Sequence, residues 1–172
     1  MIRILLSIAS FALRLLLLAS TASAAGPVFR DFDAKSFAAL QARLQGRPFV
    51  LAFWSIHCDP CRDELAQWGP LQRRYPDIPI VLVATDPRSE RPVLTKLLSR
   101  YDLRGVQSWA YADDFEERVR FAVDRSWRGE LPRTYLYDGE HHAEGRSGPA
   151  EAGWIEPWLA RQSGGKKRAS LN

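Results

Sequence analysis

Residues 49–61 of the chain read FVLAFWSIHCDPC. The first six, Phe49 to Trp54, form a continuous apolar run, which is typical of a β-strand buried on both faces of a sheet. Cys58 and Cys61 follow after three residues and open a segment with helical periodicity. The sequence therefore predicts a buried strand followed by a C-x-x-C motif at the N-terminus of a helix.

This placement of the motif has a chemical consequence. Unpaired backbone N–H groups and the helix dipole favour thiolate over thiol, and the thiolate is the nucleophile. Two intervening residues let Cys61 reach back one helical turn to Cys58, so the pair can close and reopen a disulfide. We expect Cys58, at the mouth, to be the exposed attacking thiol and Cys61, inside the first turn, to be the buried resolving thiol. Pro60 lacks an N–H, which costs little in a first turn.

A C-x-x-C motif has other interpretations. In an exported protein it can be an inert structural disulfide, two unrelated buried thiols or a soft metal site. The strand–C-x-x-C–helix context inside an α/β pattern favours a redox-active pair.

The rest of the chain alternates between helical and strand patterns, which predicts an α/β fold with a central mixed sheet flanked by helices. Apolar residues at helical spacing predict helices over Phe32–Leu44, Cys58–Tyr75, Arg88–Tyr101, Asp113–Val123 and about Pro149–Gln162. Short apolar runs and a turn signal predict strands over Ile78–Ala84, Val106–Tyr111, Thr134–Tyr137 and His141–Gly148. We expect Gly69-Pro70 to kink or break the second helix, Asp113 or Asp114 to cap the fourth, and Val93 to lie on the buried stripe of the third.

The N-terminal segment has the pattern of an export signal. Residues 1–24 contain no acid, and an apolar stretch from Ile4 to Ala19, interrupted by Arg14, precedes small residues ending in Ala22-Ser23-Ala24. We predict a signal peptide over 1–24, with an uncleaved membrane anchor as the alternative. A domain over 25–163 and a flexible basic tail over 164–172 would then work in the periplasm, where disulfides persist.

Length and composition exclude several classes of protein. The chain has 172 residues, of which 46% are apolar and 26% charged, so it suits one globular domain. Of its 24 basic residues, five lie in the leader and the tail, which leaves 19 against 20 acidic residues in the body. A near-neutral body argues against a nucleic-acid partner.

Three motifs, taken together, resemble the thioredoxin superfamily. Residues 53–61 stand where that superfamily has F-W-x-x-W-C-x-P-C, and residues 61–64, CRDE, resemble the C-[RK]-x-E continuation of the exported TlpA/ResA-like branch. Residues 129–139, GELPRTYLYDG, resemble that branch's G-x-x-P-x-T-[FY]-x-[IVL]-D segment. The resemblance spans about residues 45–162 and implies a thioredoxin-like fold.

The resemblance also implies roles for the matched residues. Cys58 would be the nucleophile and Cys61 the resolving thiol of a redox-active disulfide, and Glu64 would tune thiol protonation. Leu131-Pro132 would be a cis peptide bond that faces the dithiol and presents backbone groups to a substrate. Trp54 and His57 would lie beside the substrate. No cofactor and no metal are expected.

Some positions depart from the family pattern. Ala52 stands where thioredoxins carry a buried carboxylate, His57 replaces a tryptophan, and Ala66 replaces a proline. A protonated His57 would favour the Cys58 thiolate, whereas Asp59 would oppose it. Because a stabilised thiolate makes a strong oxidant, Asp59 predicts a reductant.

These observations predict an exported thiol–disulfide oxidoreductase that reduces the disulfides of periplasmic client proteins. A membrane thiol donor would then reduce its oxidised cysteine pair again. By resemblance, one candidate client is apocytochrome c. The alternatives are an oxidase that introduces disulfides, or a copper-binding or metallochaperone module that uses Cys58, Cys61 and His57. His141 and His142 are expected to be a poor chelate because neighbouring residues point to opposite faces of a strand.

Overall fold

A computed structural model describes residues 29–112 and 115–169, with only the backbone for 165–169. The predicted leader, residues 1–24, and the predicted caps Asp113 and Asp114 lie outside this range. Within it, no helix is long and apolar enough to cross a membrane. The elements in chain order are β1 (Arg30–Phe32), α1 (Ala34–Arg43), β2 (Phe49–Trp54), α2 (Asp59–Arg74), β3 (Ile80–Ala84), a 3-10 turn (Arg88–Glu90), α3 (Arg91–Leu98), β4 (Gln107–Tyr111), α4 (Glu116–Val123), β5 (Arg133–Tyr137), β6 (Ala143–Ser147) and α5 (Ala152–Ala169).

The strands form one mixed sheet in the order β1-β4-β3-β2-β5-β6. β2 lies inside the sheet, parallel to β3 and antiparallel to β5, and all six of its residues are buried. This confirms both the buried strand over Phe49–Trp54 and the predicted mixed sheet. The C-terminal ends of β2 and β3 therefore meet at one edge of the sheet, where the chain enters the C-x-x-C motif.

Two apolar clusters cover the two faces of the sheet. One includes Cys61 and buried side chains of α2, α3 and α5, among them Trp68, Leu94 and Leu159. The other is rich in aromatic rings, which are Phe32, Phe37, Phe49, Phe53, Tyr111, Trp127, Tyr135 and Tyr137. The disulfide is thus anchored in the first, more aliphatic cluster.

The first predicted helix begins later than expected. Phe32 ends a short strand that pairs with β4, where it lies opposite Tyr111, and its ring is fully buried. Asp33 then caps α1, accepting hydrogen bonds from the backbone N–H groups of Lys35 and Ser36. The burial of Phe32 in the aromatic cluster and this cap together set the boundary.

The predicted break in α2 is wrong, because the helix runs from Asp59 to Arg74 with Pro70 inside it. Pro70 is exposed, while Trp68 and Leu71 on either side are buried and hold the helix to the core. Gly69 allows a close approach: a Cβ there would lie 1.5 Å from the Asp102 carbonyl oxygen.

Other element boundaries also differ from prediction. The third predicted helix is a 3-10 turn followed by the shorter α3, and Val93 is 50% exposed rather than buried. α5 continues through residues 164–169, across Gly164 and Gly165, instead of ending near Gln162. His141 lies in the β5–β6 loop with a φ of 63°, so the returning strand begins only at Ala143.

Candidate active site

Cys58 and Cys61 form a disulfide at the start of α2, with their Cα atoms 5.2 Å apart. Cys58 is the N-cap residue, and its Sγ accepts a hydrogen bond of 3.3 Å from the backbone N–H of Cys61. Cys58 is partly exposed, whereas Cys61 is only 1% exposed. Cys58 is therefore the sulfur that another molecule can reach.

Asp86 fixes the segment that leads into the disulfide. This residue follows β3, and its carboxylate accepts hydrogen bonds from the Ser55 hydroxyl at 2.7 Å and from the Ile56 backbone N–H at 3.2 Å. The Ser55 Oγ in turn accepts from the His57 backbone N–H at 3.0 Å. Burial raises the pKa of Asp86, and the hydrogen bonds from Ser55 and Ile56 oppose that rise. The buried carboxylate thus holds three successive residues before Cys58.

Arg62 neutralises the acid between the cysteines. Its guanidinium pairs with the Asp59 carboxylate and also donates to the Ile56 carbonyl oxygen at 2.9 Å. Asp59 alone would oppose the Cys58 thiolate, but in the fold it has this cationic partner. Because the positive charge lies one turn along the same helix, it offsets much of the effect of Asp59.

Glu64 lies one turn beyond Cys61 on α2 and is 8% exposed. Neither of its carboxylate oxygens has a hydrogen bond of ordinary geometry to a described residue. Burial raises the pKa of Glu64 to about 7, and the backbone amide of Ala150 opposes this rise only in part. β2 has Ala52 rather than an acid, so Glu64 is the buried acid nearest to Cys61 along the chain.

The Leu131-Pro132 peptide bond is cis, as the resemblance implies. Phe53 of β2 pairs with Arg133 of β5. Because the two strands are antiparallel, Pro132 lies beside Trp54, the last residue of β2. Trp54 and the partly buried Leu131 belong to the apolar cluster of Cys61. The fold thus brings the two segments to the edge of the sheet that carries the disulfide, while their roles in substrate binding stay predictions.

The histidines divide between the two ends of the sheet. His57 is exposed beside the disulfide. His141 lies at the opposite end of β2, where its ring contacts Phe49 and its Nε2 is 3.0 Å from the Leu44 carbonyl oxygen. Five residues of strand span on the order of 16 Å, so His141 and His142 do not join the cysteines. No group of three or more His, Cys, Asp or Glu residues in the described ranges could hold a metal ion.

Sequence reasoning missed Asp86. The residue is 31 positions from Ser55, and its partners meet it only because β2 and β3 are parallel neighbours. The signal that could have found it is the polar pair Thr85-Asp86 directly after a buried strand, since the C-terminal ends of adjacent parallel strands meet at one edge.

The sequence matches no protein-family model. Among curated proteins, Thioredoxin H5 of Oryza sativa subsp. japonica is 33% identical over 72 residues, which cover 42% of this chain and 49% of the rice protein. The chain therefore spans about half the length of the curated relative that it matches.

Solved structures resemble about 70% of the chain. MTB dsbF superposes with a TM-score of 0.57 at 18% identity, over 70% of this chain and 84% of that one. A thiol:disulfide interchange protein of the thioredoxin family from Chlorobium tepidum TLS gives 0.58 at 15% identity, over 72% and 84% of the two chains. A secreted disulfide oxidoreductase of Mycobacterium tuberculosis gives 0.55 at 20% identity, over 70% and 85%. At these identities the matches establish a shared fold.

Proposed function

We propose that this chain, a protein with the thioredoxin fold, is a thiol–disulfide oxidoreductase that works through Cys58 and Cys61. The observation that carries the proposal is the disulfide itself: it closes on the first turn of α2, with one sulfur partly exposed and the other buried. In this arrangement a partner can react at Cys58, while Cys61 is buried next to it and can resolve the mixed disulfide.

The exchange proceeds through two successive thiolate attacks. In the reduced protein the Cys58 thiolate attacks one sulfur of a client disulfide, forms a mixed disulfide and releases the client's other sulfur as a thiolate, which takes up a proton. The Cys61 thiol then loses its proton, and its thiolate attacks Cys58 Sγ. This re-forms the intramolecular disulfide and releases the second client sulfur. Two electrons have passed from the protein to the client.

Glu64 suits the proton transfer in the second step. Its pKa of about 7 lets the carboxyl change protonation state near neutral pH, where a general base is most effective. It lies one helical turn from Cys61, and neither of its carboxylate oxygens has a hydrogen bond of ordinary geometry to a described residue. In this proposal the Glu64 carboxylate receives the proton of Cys61, directly or through water, and later returns it to solvent.

The finer proposal is that the protein acts as a reductase outside the cytoplasm. The leader pattern of residues 1–24 supports export, and the similar disulfide oxidoreductase of Mycobacterium tuberculosis is described as secreted. The direction of electron flow rests on Asp59, whose effect Arg62 partly offsets. Protein disulfides, including those of apocytochrome c, are the proposed clients, and a membrane thiol protein is the proposed donor.

The activity is tested by reduction of insulin disulfides with the purified protein and dithiothreitol as electron source. We expect the wild-type protein to accelerate the reaction, Cys58→Ser to abolish the acceleration, and Cys61→Ser to accumulate a mixed disulfide with insulin. A surface variant such as Arg161→Gln should retain full activity. If Cys58→Ser is as active as the wild type, or if the wild type gives no acceleration, the proposed chemistry is wrong.

The direction is tested by equilibrating the Cys58–Cys61 pair with graded thiol buffers. A reduction potential near or below roughly −220 mV, the range of reducing dithiols, supports the reductase. A potential near roughly −120 mV would mark a disulfide-introducing oxidant and would overturn the finer proposal.

A further inference from the structure

A shallow groove of about 350 Å³ lies beside the segment that leads into the disulfide. It is formed where α3 approaches the segment before Cys58. Its lining residues are Ile56, His57, Arg62, Val93, Lys96, Leu97 and Arg100. We call this surface the basic groove, because its lining contains three permanent cations and no acid.

The α3 side of the groove is a single stripe of side chains. Lys96 and Leu97 follow Val93 by three and four residues on one face of α3, and Arg100 extends this line from the turn after Leu98. The stripe alternates apolar and basic side chains, and Val93 is 50% exposed although the sequence pattern placed it inside. An apolar floor beside cationic groups suits a polypeptide that brings both apolar and acidic side chains.

The positive charge of the groove is not used within the chain. In the part of the chain that the structure describes, neither Lys96 nor Arg100 takes part in an ion pair, and both are exposed. Arg62 is different, because it pairs with Asp59 at the rim. Lys96 and Arg100 are therefore the groups available to a negatively charged partner.

The location of the groove selects the partner. Ile56 and His57 line it and directly precede Cys58, so a client whose cysteine reaches Cys58 Sγ must lay its flanking residues across the neighbouring surface. We propose that the basic groove selects disulfide substrates whose reacting cysteine is flanked by acidic residues. This inference rests on the proposed function, since it names the substrate class of the same dithiol.

The test uses two synthetic peptides, each with one central cysteine and linked to itself as a disulfide dimer. The two are identical except that the flanking charged residues are Glu in one and Lys in the other. Reduced protein is mixed with each, and the rate of cleavage is divided by the rate that dithiothreitol gives with the same peptide. This correction removes the intrinsic reactivity of the peptide disulfides.

We expect the corrected rate for the Glu peptide to exceed that for the Lys peptide by about fivefold at low ionic strength, and the ratio to fall as salt is added. The double variant Lys96→Gln, Arg100→Gln should lose most of this ratio. The matched control Lys35→Gln, Arg161→Gln removes the same net charge from exposed sites elsewhere and should keep it. A ratio near one in the wild type, or an equal loss in both double variants, overturns the inference.

Failure of the proposed function gives a different result. If the protein cleaves neither peptide faster than a Cys58→Ser control, the oxidoreductase proposal fails, and the groove is judged by binding alone. The Glu peptide with serine in place of cysteine is then titrated against isotope-labelled protein. Amide shifts confined to residues 93–100 and 56–57 support an acidic-peptide site. Their absence, or shifts caused by anionic phospholipid vesicles but not by the peptide, would overturn it.

Discussion

One buried carboxylate contacts the segment before the disulfide and another lies on the helix after it, and the two differ in their hydrogen bonds. Asp86, beside Ser55–His57, accepts hydrogen bonds from a hydroxyl and a backbone N–H. Glu64, on α2 after Cys61, accepts none of ordinary geometry from the described residues. Within residues 29–112 and 115–164 these are the only buried carboxylates, and both flank the redox pair.

The two buried carboxylates have different roles. Burial raises the pKa of both groups. The donors around Asp86 favour its charged form and tie it to the backbone, so it acts as a fixed acceptor that positions the loop before Cys58. For Glu64 the backbone amide of Ala150 opposes the effect of burial only in part, so its pKa is about 7 and it can exchange a proton near neutral pH.

The largest effect is expected from Glu64→Gln, measured as the pH dependence of stability. The pKa of Glu64 is about 7 in the folded chain against about 4.5 for a solvated glutamate, so the folded state retains the proton to higher pH. The carboxyl therefore has no destabilising effect below about pH 4.5, and its full cost, about 3 kcal/mol, is reached above pH 7. Urea unfolding of the oxidised proteins should show the variant gaining about this amount over the wild type between pH 5 and pH 8.

Asp63→Asn is the matched control, because it removes an exposed acid from the neighbouring position of the same helix. It should leave the pH dependence of the wild type nearly unchanged. If Glu64→Gln also leaves it unchanged, Glu64 is ionised normally in the folded protein and the contrast between the two carboxylates disappears.

A smaller loss of stability is expected from Asp86→Ala. The change leaves the Ser55 hydroxyl and the Ile56 N–H without their buried acceptor, which costs about 2 kcal/mol. Asp86→Asn keeps one acceptor oxygen and should cost less than half as much. Urea unfolding at pH 7 gives both values, and equal losses in the two variants would mean that the hydrogen bonds do not account for the role of Asp86.

The smallest effect concerns the exposed pair at the mouth of the site. Arg62→Gln frees the Asp59 carboxylate, whose negative charge then opposes the Cys58 thiolate. Because exposed pairs are well screened, we expect only about a two- to threefold slower alkylation of Cys58 at pH 7 in the reduced protein. The double variant Arg62→Gln, Asp59→Asn should restore the rate, and an unchanged rate in Arg62→Gln alone would show that the pair does not influence the thiol.

Local pattern predicted much of the fold. The run Phe49–Trp54 predicted β2 with its observed bounds, because a strand buried on both faces needs an apolar residue at each position. The C-x-x-C motif likewise predicted the disulfide at the start of α2. The strand Arg30–Phe32 escaped notice because three residues carry no period, and its pairing partner lies almost 80 positions away.

Only the site residues that share one helix or belong to a matched motif could be predicted from the sequence. Cys58, Cys61 and Glu64 share one helix, so their proximity follows from their spacing, and the cis bond before Pro132 followed from the family resemblance. Asp86 could not be found in this way, because its contact with Ser55 depends on which strands are neighbours. The exposure of Val93 depends in the same way on which face of α3 packs against the core, where Leu94 and Leu98 are buried.

The outer strands of the sheet bear on how the molecule behaves at high concentration. β6 is exposed along its whole length and carries Glu144 and Arg146, which pair with each other beside Trp154. β1, at the other edge, has three residues. Charged side chains and short length both discourage a strand of another molecule from adding to a sheet. The two edges therefore protect the chain against strand-mediated aggregation while its reactive end stays open to partners.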